Sequence, residues 1–395
     1  MLKFWEGGKM KKLADNILCW CENPEDGAVQ QALNISKHPW LVGNVCLMPD
    51  THEGYGMPIG GVVALKGAVC PNMVGVDIGC GMLAVKTSLT EISRENLLKI
   101  YELIKERIPV GFKHNSEKQE PPVFDCFAWK SAELNVCPSE FESAQYQIGT
   151  LGGGNHFIEI QNGNDGYIWF MIHSGSRNLG KKVAEFYNEK AKELCSLYKQ
   201  DEIVKNDLAV LPEGNEYFDK YMQEMNLCML FSEANRDLMA KKIISCFREV
   251  LGDSVDFEKP INIQHNYAAR EHHYGRNVIV HRKGATLARA DIFGIIPGSQ
   301  GTASYIVVGK GCEASLCSCS HGAGRCLSRK RAREELDMEN ECRLLEERGI
   351  IHSIKSKEDL DESASAYKNI DTVMDEQKDL VDIKVKLEPL AVIKG

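Results

Sequence analysis

A histidine flanked by small residues is the first candidate for chemistry in this chain. His321 follows Ser320 and precedes Gly-Ala-Gly. Small neighbours leave the imidazole unshielded and let the backbone approach a ligand closely, so this histidine is a candidate to accept a phosphoryl or nucleotidyl group. Arg325, four residues later, carries a fork of donors that matches phosphate oxygens. A histidine in a glycine turn is more often only part of the turn, so the interpretation depends on other segments.

Five side chains of metal-ligand type lie in four segments where an apolar run meets a glycine or an amide. They are Asp77, Cys80, His156, His173 and His265. Each alone is more often an ordinary polar or buried residue, but together they suffice for two metal ions if one ligand bridges. Two metals about 3.5–4 Å apart suit in-line displacement at phosphorus. Thiolate and imidazole ligands favour zinc, whereas a carboxylate also admits manganese.

The composition of the chain limits the classes of protein to which it can belong. The chain has 395 residues, of which 43% are hydrophobic, and a net charge of −9. This charge argues against binding of nucleic acid through a broadly basic face, although it leaves room for a local basic groove. Fifteen cysteines, an odd number, favour reduced thiols. Residues 1–9 contain no apolar segment of the kind found in secretory signals, and no apolar run is long enough for a membrane span. A cytoplasmic location without membrane contact is therefore expected.

The elements that must position these residues are predicted as buried strands ending in loops, together with several helices. The apolar runs that indicate strands are 60–65, 73–78, 167–173, 277–281 and 305–309. Helical periodicity covers residues 90–108, 181–199, 215–250 and 329–347. Residues 113–122 are polar with a Pro-Pro pair and predict a surface loop, whereas 387–395 predict a terminal strand. Because the candidate residues come from distant segments, we predict one compact α+β domain over residues 1–395, with mixed and antiparallel sheets and packed helices around a two-metal cleft.

Taken together, these segments resemble the RtcB family of RNA ligases. The matching runs, in the family's order, are 48–61, 75–81, 152–159, 173–180, 264–266, 297–305, 320–325 and 394–395. As a set they are highly specific, although residues 86–150 match no motif. The resemblance implies a ligase dependent on GTP and two Mn²⁺ ions. It would join an RNA 3′-phosphate or 2′,3′-cyclic phosphate to a 5′-hydroxyl, in tRNA splicing or in RNA repair.

The resemblance also implies a role for each residue. His321 matches the histidine that forms a covalent guanylate, and Asp50 the carboxylate that orients it. Cys80 resembles a thiolate that bridges both ions, with Asp77 and His156 on one ion and His173 and His265 on the other. The positions that match contacts to GTP are Asn155, His156, Phe157, Ile158, Glu159, His265, Asn266, Pro297, Gly298, Ser299, Gln300, Ser304, His321, Gly322, Ala323, Gly324, Tyr367 and Lys394. Arg177 and Arg325 are expected to bind the RNA substrate.

Two other functions fit parts of the pattern. A two-metal phosphodiesterase or cyclic-phosphate hydrolase would use the same ligands without a covalent step, but would leave His321, Glu159 and Lys394 without a role. A non-catalytic RNA-binding protein would need a strongly basic surface with exposed aromatic residues, which the net charge does not favour. The sequence does not reveal whether an activating protein partner is required.

Overall fold

Two large β-sheets form the frame of the protein. A computed structural model describes residues 10–395, and residues 1–9, which bear on the secretory-signal prediction, lie outside this range. The strands, in chain order, are β1 Lys11–Ala14, β2 Ile17–Cys19, β3 Leu41–Tyr55, β4 Met57–Leu65, β5 Ala68–Val69, β6 Gly81–Lys86, β7 Phe157–Gly163, β8 Ile168–Ser174, β9 Leu211–Pro212, β10 Ile261–Gln264, β11 Asn266–His273, β12 Arg276–Lys283, β13 Ala285–Leu287, β14 Phe293–Ile296, β15 Ser304–Gly309, β16 Ser318–Ser320 and β17 Val381–Lys394.

The order of the strands brings distant segments together. The first sheet runs β1-β2-β3-β4-β12-β11 and is antiparallel except for the parallel pair β2 and β3. The second sheet runs β10-β6-β8-β7-β17-β15-β14 and is antiparallel throughout. Two short pairs, β13 with β16 and β5 with β9, complete the strand pairing of the described residues. In the second sheet the strand β17 lies between β7 and β15 and pairs with both.

Helices cover both sheets, and the longest of them lies at the centre. The helices are α1 Asp26–Ile35, α2 Arg94–Arg107, α3 Cys137–Gln147, α4 Arg177–Leu197, α5 Asp201–Lys205, α6 Glu216–Leu251, α7 Arg329–Glu335, α8 Met338–Glu347 and α9 Ile370–Asp375. The helix α6 begins at Asn215, whose side chain accepts the N–H of Tyr217, and it packs against α2, α4, β6 and β8. Among residues 10–395, no helix is both long enough and apolar enough to cross a membrane.

Most of the predicted elements are confirmed. The runs 60–65, 167–173, 277–281 and 305–309 lie in β4, β8, β12 and β15, and residues 387–395 fall almost wholly within β17. The four helical segments are found as α2, α4, α6 and the pair α7 and α8. The predicted α+β class, with mixed and antiparallel sheets and packed helices, is confirmed. The prediction of one domain over residues 1–395 extends beyond the described range.

Two local predictions are wrong for identifiable reasons. Residues 73–78 are not a strand but a 3₁₀ turn followed by a bend, because Gly75 and Gly79 adopt φ of +92° and +72°. The segment 329–347 is not one helix: Leu336 is extended, with ψ of 144°, and Asp337 starts a second helix. The apolar residues of 73–78 suggested a strand. In 329–347 the helical spacing of charged residues continues past Leu336, so the sequence did not indicate the break between the two helices.

Candidate active site

The predicted nucleophile is held by a buried carboxylate. Asp50 lies in β3, and its Oδ2 accepts hydrogen bonds from Nδ1 of His321 at 2.6 Å, the N–H of His321 at 3.0 Å and the N–H of Gly322 at 3.2 Å. Burial opposes ionisation of Asp50, but the adjacent His321 outweighs it and lowers the pKa of the carboxyl. A carboxylate can only accept, so Nδ1 carries a proton, and in the neutral imidazole Nε2 keeps its lone pair. The arrangement orients Nε2 as a nucleophile.

The five predicted metal ligands meet in one cluster, in which Asp77 is half-buried and the other four are buried. Cys80 Sγ lies 3.5 Å from Nε2 of His156 and 3.3 Å from Nε2 of His173. Asp77 Oδ2 lies 3.3 Å from Nε2 of His156. Cys80 belongs to two overlapping groups, one with His173 and His265 and the other with Asp77 and His156, in which the ligand atoms lie within 4.8 Å of one another. These are the two groups of this kind among residues 10–395, and Cys80 is their shared member.

Hydrogen bonds fix the histidines in the form that binds a metal. Nδ1 of His156 donates to the Leu151 carbonyl at 3.0 Å, and Nδ1 of His173 donates to the Asn155 carbonyl at 3.2 Å. Each Nε2 therefore presents a lone pair to the cluster. Nδ1 of His265 is buried and has no hydrogen-bond partner among residues 10–395. A buried nitrogen in this state fits a metal ligand.

The charge of the cluster also fits bound cations. Burial and the neighbouring Asp77 carboxylate raise the pKa of the Cys80 thiol well above its usual range. A thiolate at this position therefore needs additional positive charge, which divalent cations supply. The residues fit two such ions sharing Cys80, and the mixture of thiolate, imidazole and carboxylate does not by itself select the metal.

The predicted nucleophile, His321, adjoins the candidate metal ligands through a row of imidazoles. The ring centroids of His321 and His265 are 4.8 Å apart, those of His265 and His173 are 5.2 Å apart, and those of His173 and His156 are 5.3 Å apart. A phosphate at Nε2 of His321 would therefore lie beside the ligand set. This proximity is what metal-assisted displacement at phosphorus requires.

The loops that carry the cluster are fastened to the central helix. Asn235 of α6 accepts the N–H of Gly149 at 2.6 Å and donates to the carbonyl of Gly175 at 3.2 Å. Arg236 donates to the carbonyls of Ser174 at 2.9 Å and Gly79 at 3.3 Å. Both side chains are fully buried. Sequence reasoning missed them because two polar residues in an amphipathic helix give no signal that distinguishes them from surface residues.

A cleft opens beside His321 and contains most of the predicted nucleotide contacts. The predicted residues that line it are Asn155, Phe157, Glu159, Pro297, Gly298, Ser299, Gln300, His321, Gly322, Ala323, Gly324, Arg325, Tyr367 and Lys394, with His173 of the metal cluster. His52, Ile59, Arg329 and Glu362 line it as well. The cleft is thus built from the loops of both sheets and from the chain end.

A buried acid and a lysine face the inner part of this cleft. Glu159 is 2% exposed, and burial raises its pKa to about 8, with the nearby Lys394 opposing the shift. Pairing of β17 with β7 sets Lys394 opposite Phe157, and its ammonium lies 5.5 Å from the centre of that ring. Gln161 donates to Glu159 at 2.7 Å. The pair offers one acceptor and one cationic donor to a ligand.

Five of the predicted nucleotide contacts do not line the cleft, and two of these, His156 and His265, belong to the candidate metal cluster. The other three have structural contacts. Ile158 lies in the hydrophobic core, paired on either side with Ile172 and Ile393. Ser304 is buried and accepts the N–H of Gly298 at 3.2 Å. Asn266 donates to the carbonyl of Asp77 at 3.0 Å and accepts the N–H of Gly284 at 2.7 Å. These side chains support the walls of the site.

Arg325 lines the cleft, but its donors are already engaged. Its Nε donates to the carbonyl of Leu327 at 2.9 Å, and one terminal nitrogen donates to the carbonyl of Asp361 at 2.5 Å. The other terminal nitrogen forms an ion pair with Glu362 at 3.1 Å, and the guanidinium lies 5.1 Å from the ring centre of Tyr367. A phosphate at Arg325 would have to displace these contacts.

Glu362 is one of four residues of the cleft that sequence reasoning missed, the others being His52, Ile59 and Arg329. Glu362 is 3% exposed, forms ion pairs with Arg325 and Arg329 at 3.1 Å, and accepts the hydroxyl of Tyr367. It also favours the charged form of Lys394, although burial lowers the pKa of that lysine. The residue is the last of an acidic 3₁₀ turn, Lys357–Glu362, where the sequence offers no motif to single it out.

Arg177 lies on the other side of the metal cluster. It begins α4 with φ of +59°, and its guanidinium donates to Thr150 Oγ1 at 3.2 Å. Burial lowers the pKa of this guanidinium. Arg177 lines a second cavity together with Asp77 and His156. Five residues line both cavities: Asn155, Gln300, Arg329, Glu362 and Lys394.

A histidine oriented by a carboxylate beside a bridged ligand cluster is typical of enzymes that transfer phosphoryl groups with metal ions. Comparison with known proteins defines the class further. Residues 31–395 match the model of the family described as tRNA-splicing ligase RtcB, and the chain belongs to this RtcB family.

Relatives cover nearly the whole chain. The RNA-splicing ligase RtcB of Escherichia coli K12 is 38% identical over 391 residues, which cover 94% of this chain and 95% of that protein. The tRNA-splicing ligase RtcB of Nanoarchaeum equitans is 33% identical, over 94% of this chain and 92% of that protein. That of Methanococcus maripaludis is 31% identical, over 95% and 92% respectively. The expected resemblance is thereby confirmed.

Proposed function

We propose that this protein, an RNA ligase by its family, joins RNA ends that carry a 3′-phosphate or 2′,3′-cyclic phosphate to 5′-hydroxyl ends at the expense of GTP. The observation that carries this proposal is the 2.6 Å hydrogen bond between Asp50 and His321 beside a cluster fit for two metals. Family membership supports the RNA substrate. The oriented histidine supports a covalent nucleotidyl step, which a simple phosphodiesterase would not need.

In the first step, Nε2 of His321 attacks the α-phosphorus of GTP. A nitrogen–phosphorus bond forms, the bond to the β-phosphate oxygen breaks, and pyrophosphate leaves. Asp50 holds Nδ1–H and balances the positive charge that develops on the ring. The guanylate then passes to the RNA 3′-phosphate and frees His321. Attack of the 5′-hydroxyl on the RNA phosphorus makes the phosphodiester and releases GMP.

Two metal ions, Mn²⁺ in this proposal, would neutralise phosphate charge and act as Lewis acids. Cys80 would be shared, Asp77 and His156 would complete one site, and His173 and His265 the other. The carbonyls of Leu151 and Asn155 orient two of the imidazoles for this task. A cyclic phosphate would be opened by hydrolysis before it accepts the guanylate.

Recognition of guanine would depend on Glu159 and Lys394. A carboxylate at Glu159 can accept the N1 and N2 protons of guanine, while the ammonium of Lys394 donates to O6. Adenine has no O6 acceptor and presents a different pattern of donors, so the pair favours GTP over ATP. Phe157, the loop 297–300 and the turn 321–324 would enclose the nucleotide, and Tyr367 would stack near the base.

The RNA end would approach from the side of Arg177. This arginine borders Asp77 and His156 in the second cavity, where it can meet the terminal phosphate. Arg325 would act mainly by fixing Tyr367 and Glu362, because its own donors are engaged. A cytoplasmic location is part of the proposal and is supported by fifteen free cysteines.

A ligation assay tests this function. Two RNA oligonucleotides, one with a 3′-phosphate and one with a labelled 5′-hydroxyl end, are incubated with protein, Mn²⁺ and either GTP or ATP. We expect a joined product with GTP only, and none with His321→Ala. His272→Ala, which alters a histidine at the β11–β12 turn outside the cleft, is the matched control and should retain activity. Joining without GTP, or by His321→Ala, would contradict the proposal.

A further inference from the structure

One aromatic side chain projects into solvent beside the active site. Phe112 has a relative exposure of 102%, the largest of the exposed hydrophobic residues described. The loop that presents it is anchored at both ends: the N–H of Gly111 donates to the Gly152 carbonyl at 2.8 Å, and the Asn115 amide donates to the carbonyls of Tyr146 at 3.0 Å and Ile148 at 2.7 Å. The anchored loop therefore holds the Phe112 ring in solvent, where the ring packs against no other side chain.

This loop forms one wall of the second cavity. Gly111, Phe112, Lys113 and His114 line that cavity, and so do Asp77, His156 and Arg177 of the candidate site. Val110 pairs with Gly152, which belongs to the glycine run that leads to His156. The exposed ring and the metal cluster therefore lie along one continuous groove.

The groove carries more positive than negative side chains, since eight Lys or Arg residues and five Asp or Glu residues line it. Glu358 and Asp361 pair with Arg333, and Glu362 pairs with Arg329. Asp77 lies against His156, and Asp359 accepts the backbone N–H groups of Lys355 and Ser356. Lys113 and Lys355 line the groove and form no ion pair with any residue in 10–395. In a chain with net charge −9, this groove is a local exception. Free lysines beside an exposed aromatic ring are the features that bind single-stranded nucleic acid.

We propose that this groove binds the single-stranded nucleotides next to the RNA end being joined, with one base stacked on Phe112 and backbone phosphates on Lys113 and Lys355. The inference rests on the proposed function for the identity of the ligand as RNA. A stacking contact accepts any base, so the groove would hold ends of varied sequence. It would select unpaired ends over duplex ends, because a paired base is not free to stack on a side chain.

Binding of RNA to the full-length protein tests this inference without catalysis. The probe is a fluorescein-labelled ten-nucleotide single strand with a 3′-phosphate, measured by fluorescence anisotropy. Phe112→Ala should weaken binding roughly 5- to 150-fold, the range for loss of one stacked base, and Phe112→Tyr should bind like the wild type. Since the side chain packs against nothing, folding should be unaffected. Phe127→Ala, at a residue 80% exposed and outside the groove, is the matched control and should not change binding.

Salt dependence tests the lysines. Replacing Lys113 and Lys355 with glutamine should reduce the slope of log Kd against log salt by about 0.7 for each phosphate that the variant no longer neutralises. Unchanged binding by Phe112→Ala, equal weakening by Phe112→Ala and Phe127→Ala, or equal weakening for a blunt duplex would overturn the inference. Labelling of wild-type protein by GTP without RNA reports separately on the proposed function. If the protein is not labelled by GTP but Phe112→Ala still weakens RNA binding, the proposed chemistry is wrong and the groove remains an RNA-binding site.

Discussion

Guanine binding should release a proton from the protein, and Glu159 makes the size of this effect predictable. Burial raises the pKa of Glu159 to about 8, so at pH 7 only about one tenth of the free protein carries the carboxylate there. The carboxylate is the form that accepts the two guanine protons. Raising the pH from 7 to 8.5 increases the ionised fraction roughly eightfold, and the dissociation constant of a guanine nucleotide should fall by the same factor.

Titration calorimetry with GMP across this pH range measures the effect without covalent labelling. Buffers of different ionisation enthalpy report the proton released at pH 7, which should approach one per GMP. Glu159→Gln should bind GMP weakly and lose the pH dependence, whereas Glu388→Gln, on β17 outside the cleft, should retain it. An affinity that is independent of pH in the wild type, or that falls as the pH rises, would refute the reasoning.

The same shift has the opposite consequence for folding. The unfolded carboxyl ionises near its ordinary pKa of 4.5, whereas the folded one ionises at about 8. Between these values the unfolded state binds fewer protons, so the contribution of Glu159 to stability decreases as the pH rises. Denaturant unfolding of the free protein measures this effect. From pH 5 to pH 8 the free energy of unfolding of the wild type should fall relative to that of Glu159→Gln.

Three further predictions concern the metal cluster, the chain end and the carboxylate. Cys80→Ala should lower the metal content at both sites after dialysis with Mn²⁺. Cys195→Ala, which removes a buried thiol outside the cluster, should leave the metal content unchanged. A wild-type metal stoichiometry in Cys80→Ala would show that Cys80 is a structural thiol and not a shared ligand. Removal of the last two residues deletes the ammonium of Lys394. The loss of one charge-assisted hydrogen bond, about 1.5–3 kcal/mol, should weaken GTP binding roughly 10- to 150-fold. The affinity for ATP should not change. Unchanged GTP preference after truncation would contradict the role in guanine recognition. Asp50→Asn should slow guanylation roughly 10- to 150-fold at constant metal content, because a neutral amide replaces the charge that faces Nδ1 of His321. An unchanged single-turnover rate of guanylation would show that the carboxylate is not needed.

Motifs with tight local constraints were predictable from the sequence. Glycine neighbours and ligand-type side chains identify Cys80, His156 and His321 without knowledge of the fold. The terminal strand was predictable because residues 387–395 are apolar, and the structure pairs this strand with β7. Each of these segments alone was compatible with an ordinary turn or core residue, so the prediction of the site depended on the whole set of segments.

Tertiary contacts account for what could not be predicted. Asn235 and Arg236 fasten loops that are distant along the chain, and Glu362 meets Tyr367, Arg325 and Arg329 only after folding. No local pattern encodes these pairings. The segment 73–78 was mistaken for a strand because apolar composition outweighed the two glycines in the prediction, whereas in the fold their positive φ determines the path of the chain.

The most direct test of the central claim is transfer of label from α-labelled GTP to the protein in the presence of Mn²⁺ and without RNA. A phosphorus–nitrogen bond to histidine is labile in acid, and peptide mapping after mild proteolysis locates it. We predict one acid-labile label in the peptide that contains His321, and none in His321→Ala with its metal content preserved. Label that persists in His321→Ala, or that maps to another residue, would contradict the assignment of the nucleophile.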